Sequence, residues 1–486
     1  MLDDQRWIGK TFDDFLFRPQ RGMAESRREI NLGSPLSRKL TLEFPVVSAN
    51  MDSVTGMAMA RAMAYEGGLG FIHRGLSIER QAEKVALVKR SWGTVIEEPL
   101  SLPRGASIRD AKNFARRHGV TALLIVEKEG SETLAGVLTQ RDIPWMEGYD
   151  ERTVEDFMTP FDELITGPPE TSVEEAEKVL FSKRIERLPL VDQERRIHGL
   201  ITRKDILFMR NRPLASKDTK GRLLVGAAVG ARGDFVERAQ ELLRAGVDIL
   251  VIDIAHGHSR VMREAVERLR AEVGDVQLVC GNVATFQGAR FLKELGADAV
   301  KVGVGPGRGC RTRLETAAGV PQLQAVREAW CALKDEIPII ADGGVVHDKD
   351  IFLALMTGAS SVMLGSALSG TDEAPGHVIE DPSTHSKKKI YRGMTSPQAV
   401  FESLYDAENP EELKDALETP AEGQEMQVPY KGALADVLQR IRGHLQSAVS
   451  YAGEESLQAA RAKIVPKALE YLIPLSASAR RESYER

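Results

Sequence analysis

The sequence predicts an α/β chain, a (β/α)8 barrel interrupted after its second strand–helix unit by a small, internally repeated module. Three observations carry that expectation. Eight short apolar runs alternate with amphipathic stretches of helical length, the pattern of a parallel sheet buried on both faces. Residues that carry chemistry cluster just after these runs, where the strand–helix loops of a barrel gather at one end. Between the second and third runs the periodicity changes and a segment repeats itself. A doubly wound open sheet is the alternative reading of the same alternation.

Taken in order, Phe44-Pro45-Val46-Val47-Ser48-Ala49-Asn50-Met51-Asp52 reads as a buried strand followed by a polar turn. A helical stretch over 57–66 leads into Gly67-Gly68-Leu69-Gly70-Phe71-Ile72-His73, the second strand, and another helix follows. Then Gly136-Val137-Leu138-Thr139-Gln140-Arg141-Asp142-Ile143 is echoed about 63 residues later by Gly199-Leu200-Ile201-Thr202-Arg203-Lys204-Asp205-Ile206. An apolar strand precedes each copy (122–126 and 187–191), and a helix starting near Ser107 or Ser172 precedes each strand. Six further runs follow a linker over 214–220: 223–229, 248–254, 276–280, 297–304, 337–341 and 361–364. Helical patterns over 235–245 and 287–295 separate some of them. The expected organisation is a first barrel part over 1–93, the repeated module over 94–216, and a second barrel part over 217–486. Leu434, Val437, Leu438, Ile441, Leu445 and Val449 recur at helical spacing and predict a packed helix. The polar end, 476–486, is expected to be disordered.

With 486 residues the chain exceeds one typical domain, and 42% hydrophobic with 28% charged residues is an ordinary globular composition. A net charge of −6, from 71 acids and 65 bases, gives no global attraction for nucleic acid or an anionic membrane. No apolar run approaches the roughly 20 residues that span a bilayer, and Met1-Leu2-Asp3-Asp4 does not open a signal peptide. Three cysteines, Cys280, Cys310 and Cys331, offer neither a disulfide framework nor a CxxC site. A cytoplasmic, reduced chain is the expectation.

The chemistry concentrates in Val302-Gly303-Val304-Gly305-Pro306-Gly307-Arg308-Gly309-Cys310-Arg311-Thr312-Arg313. A strand empties into a glycine-rich loop, which lets backbone approach a ligand closely. Arg308, Arg311 and Arg313 around Cys310 are expected to favour its thiolate, the nucleophilic form. Other polar groups fall at strand ends too: Asn50-Met51-Asp52, Asp253, His256-Gly257, Gly281-Asn282, Asp342-Gly343-Gly344 and Gly365-Ser366. The glycine pairs of the later strands suit a phosphate held by backbone N–H groups.

These motifs resemble the IMP dehydrogenase/GMP reductase family over nearly the whole chain. That resemblance implies a TIM barrel interrupted by a tandem CBS (Bateman) module, for which Phe157-Met158-Thr159-Pro160 is the usual opening between copies. It implies that Cys310 attacks C2 of a purine nucleotide, that Asp342, Gly343 and Gly344 meet the ribose, and that Gly365, Ser366, Tyr391, Gly393 and Met394 meet the phosphate. Ser48 and Met51 belong to the first nucleotide loop, and Asn282 joins the substrate-binding set. Asp253, Ala255, His256 and Gly257 resemble the stretch that meets the nicotinamide cofactor. Backbone at Gly303, Gly305 and Cys310 is implied to hold a monovalent cation such as K+. A homotetramer or octamer and a regulatory purine nucleotide on the CBS module are implied as well.

The family loop usually reads Gly-Pro-Gly-Ser-x-Cys-Thr-Thr-Arg. Here Arg308 stands for the serine, with a charged phosphate contact in its place, and Arg311 for the first threonine. The family's dehydrogenases activate water with an Arg-Tyr pair on a mobile flap, whereas its reductases expel ammonia with a threonine and a glutamate. An ungapped reading puts Ala407-Glu408 at the Arg-Tyr position, and no Arg occurs between Gly393 and Pro429. Ala421-Glu422-Gly423 resembles the end of a reductase flap and supplies Glu422 to partner Thr312; Asn50 is reductase-like too. Ala255-His256-Gly257-His258 is closer to the dehydrogenase version. The expected function is reductive deamination of GMP to IMP with NADPH, through a covalent intermediate on Cys310, with Thr312 and Glu422 moving protons. The alternatives are an NAD-dependent IMP dehydrogenase with an atypical flap base, and a non-catalytic nucleotide sensor on the same barrel.

Overall fold

The computed structural model describes residues 9–91, 96, 99–144, 148–405 and 420–484. Eight parallel strands close a barrel: β1 (Val46–Ser48), β2 (Leu69–Ile72), β3 (Gly226–Val229), β4 (Ile249–Asp253), β5 (Gln277–Val283), β6 (Ala299–Val302), β7 (Ile339–Asp342) and β8 (Ser361–Leu364). Closure is made by β8 pairing with β1, Met363 opposite Val47, and by β2 pairing with β3, Phe71 opposite Gly226. The open-sheet alternative is thereby excluded. The strands read as continuous apolar runs because both faces are covered, one by the barrel interior and one by helices. Ser77, Ser259 and Thr285 cap three of the surrounding helices, each accepting a backbone N–H of the first turn.

Two differences from the sequence reading follow from pairing. Strand β5, expected to end at 280, runs on to Val283 with a register shift between Gly281 and Val283, so Asn282 is a residue of the strand itself. The end of the chain, expected to be disordered, forms a helix over Ala477–Tyr484. Tyr484 donates its hydroxyl to the Phe15 carbonyl (2.8 Å), and the Lys349 ammonium lies 4.4 Å above the tyrosine ring. Tertiary partners at 15 and 349 supply what the polar sequence itself lacks. The helix expected around 433–452 spans Leu434–Tyr451 and buries all six apolar positions named above.

The inserted unit comprises Trp92–Pro213 with Thr219–Arg222. Its two copies each pair antiparallel strands, Ala122–Val126 with Leu134–Thr139 and Arg187–Val191 with Ile197–Thr202. Ser107 and Ser172 are the N-caps of helices Ile108–His118 and Val173–Lys183, which end on left-handed Gly119 and Arg184. Each copy has a small core of its own. Leu124, Leu134 and Val137 of one pack with Val191 and Leu200 of the other. No helix among the described residues is long and apolar enough to cross a membrane.

Candidate active site

Beyond β6 the chain must turn sharply past the end of β7. Gly303 takes φ 151°, and a Cβ there would lie 2.1 Å from the Asp342 carbonyl oxygen, so only glycine fits. The loop continues to Cys310 and into a short helix, Thr312–Thr316. A second segment reaches it from far along the chain. Strands Lys387–Arg392 and Glu425–Pro429 pair antiparallel, and the residues before the latter lie against the loop, with a β-bridge between Cys310 and Gly423. Gly423 is closely surrounded; a Cβ there would sit 2.5 Å from the Ser396 amide nitrogen.

That contact assembles a short relay. The Cys310 thiol donates to Thr312 Oγ1 (3.1 Å), and the Thr312 hydroxyl donates to Glu422 Oε2 (2.6 Å). A thiol, a hydroxyl and a carboxylate in one hydrogen-bonded line can pass a proton from sulfur to carboxylate and back. The other cysteines are placed differently. Burial in β5 pushes the Cys280 thiol up to about 12, which leaves it inert.

The arginines do not surround the sulfur as their spacing predicts. Arg311 Nε reaches Glu315 Oε1 (2.7 Å), and Arg313 turns back to donate to the carbonyls of Val304 and Val320. A guanidinium with a carboxylate or carbonyls within reach is held there in preference to a distant thiol. Arg308 lines the cavity beside the loop. The hydrogen-bond partner of the Cys310 thiol is Thr312, and Gly423 of the flap segment pairs with its backbone.

A cavity of about 680 Å3 opens over these groups. Asn282, Arg308, Cys310, Asp342, Gly343 and Gly344 line it. Met51, Gly365, Ser366, Tyr391, Gly393 and Met394 line it too, as do Glu422 and Asp253. Thr312 contacts the two lining groups Cys310 and Glu422. Ser48 is not brought in; it is fully buried in β1 and its hydroxyl accepts a bond from Thr55 (2.8 Å). Nor do Ala255, His256 and Gly257 line the cavity. Ala255 and His256 are exposed just beyond β4, and the Gly257 amide donates to the Asn282 carbonyl (2.7 Å). Ala407-Glu408, the positions read against the dehydrogenase Arg-Tyr pair, lie outside the described residues.

Sequence reasoning missed the charge at the centre of the cavity floor. Lys301 Nζ lies 2.7 Å from both Asp253 Oδ1 and Asp342 Oδ2, with only 2% of its side chain exposed. Burial disfavours its charge, but the two carboxylates outweigh that and hold the ammonium above the ordinary lysine value. Burial likewise pushes Asp253 up, but Lys301 and the Asn50 amide (2.7 Å) bring it below the usual carboxylate range. Asn282 Nδ2 donates to the same Asp342 Oδ2 (2.9 Å) and to the Gly303 carbonyl (2.7 Å). Asp342 is thus fixed from two sides before any ligand arrives. The signal was present: one lysine inside an otherwise apolar strand is costly unless paired. Lys301→Met is expected to lower stability by about 3–5 kcal/mol, because it leaves two carboxylates facing each other unneutralised. Chemical denaturation reads this as a lower midpoint; an unchanged midpoint would show that the carboxylates are relieved some other way.

Lys431 was also missed. It lines the cavity beside Arg308, and its ammonium donates to the carbonyls of Ser366 (3.3 Å) and Ala367 (2.6 Å). Burial, and after it the neighbouring cations Arg440 and Arg308, lower its pKa, with Asp348 acting the other way. Tyr391 is buried with its hydroxyl toward the cavity, and burial pushes it up to about 12, so it remains a donor. An anion at the Gly365-Ser366 turn would meet this hydroxyl and the two cations together.

A thiol relay, a fixed carboxylate and two cations thus line one cavity. Known proteins are similar to the chain over nearly its whole length. Inosine-5′-monophosphate dehydrogenase of Nitrosopumilus maritimus is 45% identical over 451 residues, covering 92% of this chain and 93% of that one. The enzyme of the same name from Aquifex aeolicus is 42% identical, covering 93% and 91%. A crystal structure of GMP reductase from Trypanosoma brucei in complex with guanosine 5′-monophosphate superposes with a TM-score of 0.90, at 37% identity, over 98% of this chain and 97% of that one. The same reductase in complex with guanosine 5′-triphosphate gives a TM-score of 0.81 at 34% identity, over 96% and 98%. The model of the IMP dehydrogenase/GMP reductase domain matches residues 9–484, and a chain so matched, with its thiol, carboxylates and cationic cradle at the mouth of a closed barrel, belongs to that family of oxidoreductases.

Proposed function

We propose that this protein is an NADPH-dependent GMP reductase, converting GMP to IMP with loss of ammonia. The observation that carries the reading is the line Cys310–Thr312–Glu422, together with a flap sequence that has no arginine between Gly393 and Pro429. The first supplies an acid for a leaving amine. The second removes the guanidinium that family dehydrogenases use to activate water.

In this reading Glu422 takes the thiol proton through Thr312, and the sulfur adds to C2 of the purine. The proton returns through Thr312 to the 2-amino group, the C2–N bond breaks, and ammonia departs. A purine joined to Cys310 through C2–S remains. NADPH, when bound, supplies the hydride equivalent for C2; the C2–S bond then breaks and IMP leaves with a C2–H bond. The balance is GMP, NADPH and two protons giving IMP, NADP+ and ammonium. Asp342, preset by Lys301 and Asn282, accepts from the ribose hydroxyls, while Arg308, Lys431, Tyr391 and the Gly365-Ser366 backbone receive the 5′-phosphate.

Asn282 Oδ1 is buried without a hydrogen-bond partner among the described residues, as a polar group awaiting a ligand is. The residues we assign to the nicotinamide are Asp253, Ala255, His256 and Gly257. Backbone at Gly303, Gly305 and Cys310 is assigned to a monovalent cation such as K+. Gly303 and Gly305 take φ of 151° and 80°, and the Gly303 oxygen keeps one lone pair beyond its bond from Asn282. We further assign the inserted unit as a tandem CBS pair with a regulatory purine nucleotide, in a cytoplasmic homotetramer or octamer.

IMP dehydrogenase is the second reading, favoured by the names of the sequence relatives and by Ala255-His256-Gly257-His258. One assay separates the two. Protein with GMP and NADPH is expected to lose the reduced-nicotinamide absorbance and to release ammonia in equal amount. Turnover only with IMP and NAD, giving XMP, would reverse the assignment.

A further inference from the structure

We propose that Arg311 and Gln424 form a latch that fastens the returning flap segment to the catalytic loop, making both positioning residues for Glu422. The inference rests on the reading of Glu422 as proton carrier, but the latch itself is a claim about geometry. Glu422 comes from a segment 110 positions away from Thr312, so something must hold it at 2.6 Å. Gln424 uses all its polar groups to do so. Its amide donates to the Gly309 carbonyl (3.0 Å), and its side-chain amide donates to the Arg308 carbonyl (2.9 Å). Its carbonyl accepts from the Gly393 amide (3.0 Å), and its side-chain oxygen accepts from Arg311 Nη1 (3.4 Å).

Arg311 closes the arrangement. Its backbone amide donates to the Glu422 carbonyl (2.7 Å), one residue from the Cys310–Gly423 bridge. Its guanidinium spans from Gln424 to Glu315 on the following helix, with Nε and Nη2 each 2.7 Å from Glu315 Oε1. Both members of that pair are about 40% exposed, and an exposed i,i+4 ion pair adds little stability alone. Its use is to aim the guanidinium, whose planar fork bonds two partners in fixed directions. The short hydroxyl side chain that usually stands here in the family loop lacks the reach to span Glu315 and Gln424 together. In this chain the departure at 311 has a job: Glu422 is held at Thr312 before substrate binds, so ordering it costs nothing during turnover.

The test uses the full chain with Arg311→Thr, Arg311→Lys and Gln424→Ala. Arg311→Thr and Gln424→Ala are expected to lower kcat with GMP about tenfold while KM stays within about twofold, as loss of positioning for the chemical step requires. Arg311→Lys is expected to recover part of the loss. Hydrogen exchange at the backbone amide of position 424 is expected to speed up at least about tenfold in both damaging variants, with amides of Ala299–Val302 unchanged. Unchanged kcat and unchanged exchange at Gln424 would overturn the latch. If Arg311→Thr also loosens the barrel amides, Gln424→Ala decides. If the unaltered protein fails to consume GMP, the reductase reading falls, and the exchange result alone judges the latch.

Discussion

Cys310→Ala is expected to reduce turnover by at least about four orders of magnitude while leaving affinity for GMP within a few-fold. The asymmetry follows from the site. The sulfur is the group assigned to form the bond to purine C2, whereas the contacts assigned to ribose and phosphate come from Asp342, Arg308, Lys431 and Tyr391. Removing Sγ therefore takes away the covalent step and little of the binding. It also frees the Thr312 hydroxyl from its thiol partner at 3.1 Å without disturbing its bond to Glu422. Steady-state assay and equilibrium titration with GMP measure the two quantities on one preparation. A variant that still turns over at the original rate would remove the thiol from the mechanism.

Glu422→Gln is expected to lower kcat about 10^2- to 10^4-fold with little change in KM, the range of a lost general acid or base. A glutamine keeps the shape and can still accept from Thr312 Oγ1, but it carries no exchangeable acid proton. Packing is preserved, so a fall in rate reports proton transfer and not disorder. Thr312→Val should cost a similar factor, and the double variant little more than either alone, since both residues serve one path. Independent, multiplying effects would show that the two do not act in line. Full activity in Glu422→Gln would remove the carboxylate from the chemistry altogether.

The barrel was legible because parallel strands buried on both faces leave continuous apolar runs, and the glycine-rich loop after Val302 was legible because few other contexts tolerate such a sequence. The partnership of Thr312 with Glu422 was read from motifs, and the structure places the two side chains in contact. Three placements lay outside that reading, each for a physical reason. The arginines around Cys310 were expected to serve the thiol, but a guanidinium goes to the nearest strong acceptors, here Glu315 and the carbonyls of Val304 and Val320. Ser48, given to the first nucleotide loop by resemblance, lies buried at the end of β1, where its hydroxyl accepts from Thr55. Lys301 was passed over inside an apolar strand, because its two partners, Asp253 and Asp342, lie 48 and 41 residues away along the chain.

By itself, then, the sequence determined which segments are strands, which loops carry nucleophile and glycines, and that a repeated unit interrupts them, since each is a local pattern of apolar spacing or backbone freedom. The tertiary structure alone decided where charge sits and which polar groups meet: the ammonium between two carboxylates, Lys431 at the Ser366 carbonyl, and Gln424 fastened across the catalytic loop. Such contacts join residues scores of positions apart, and their geometry comes from barrel closure, which no local pattern encodes.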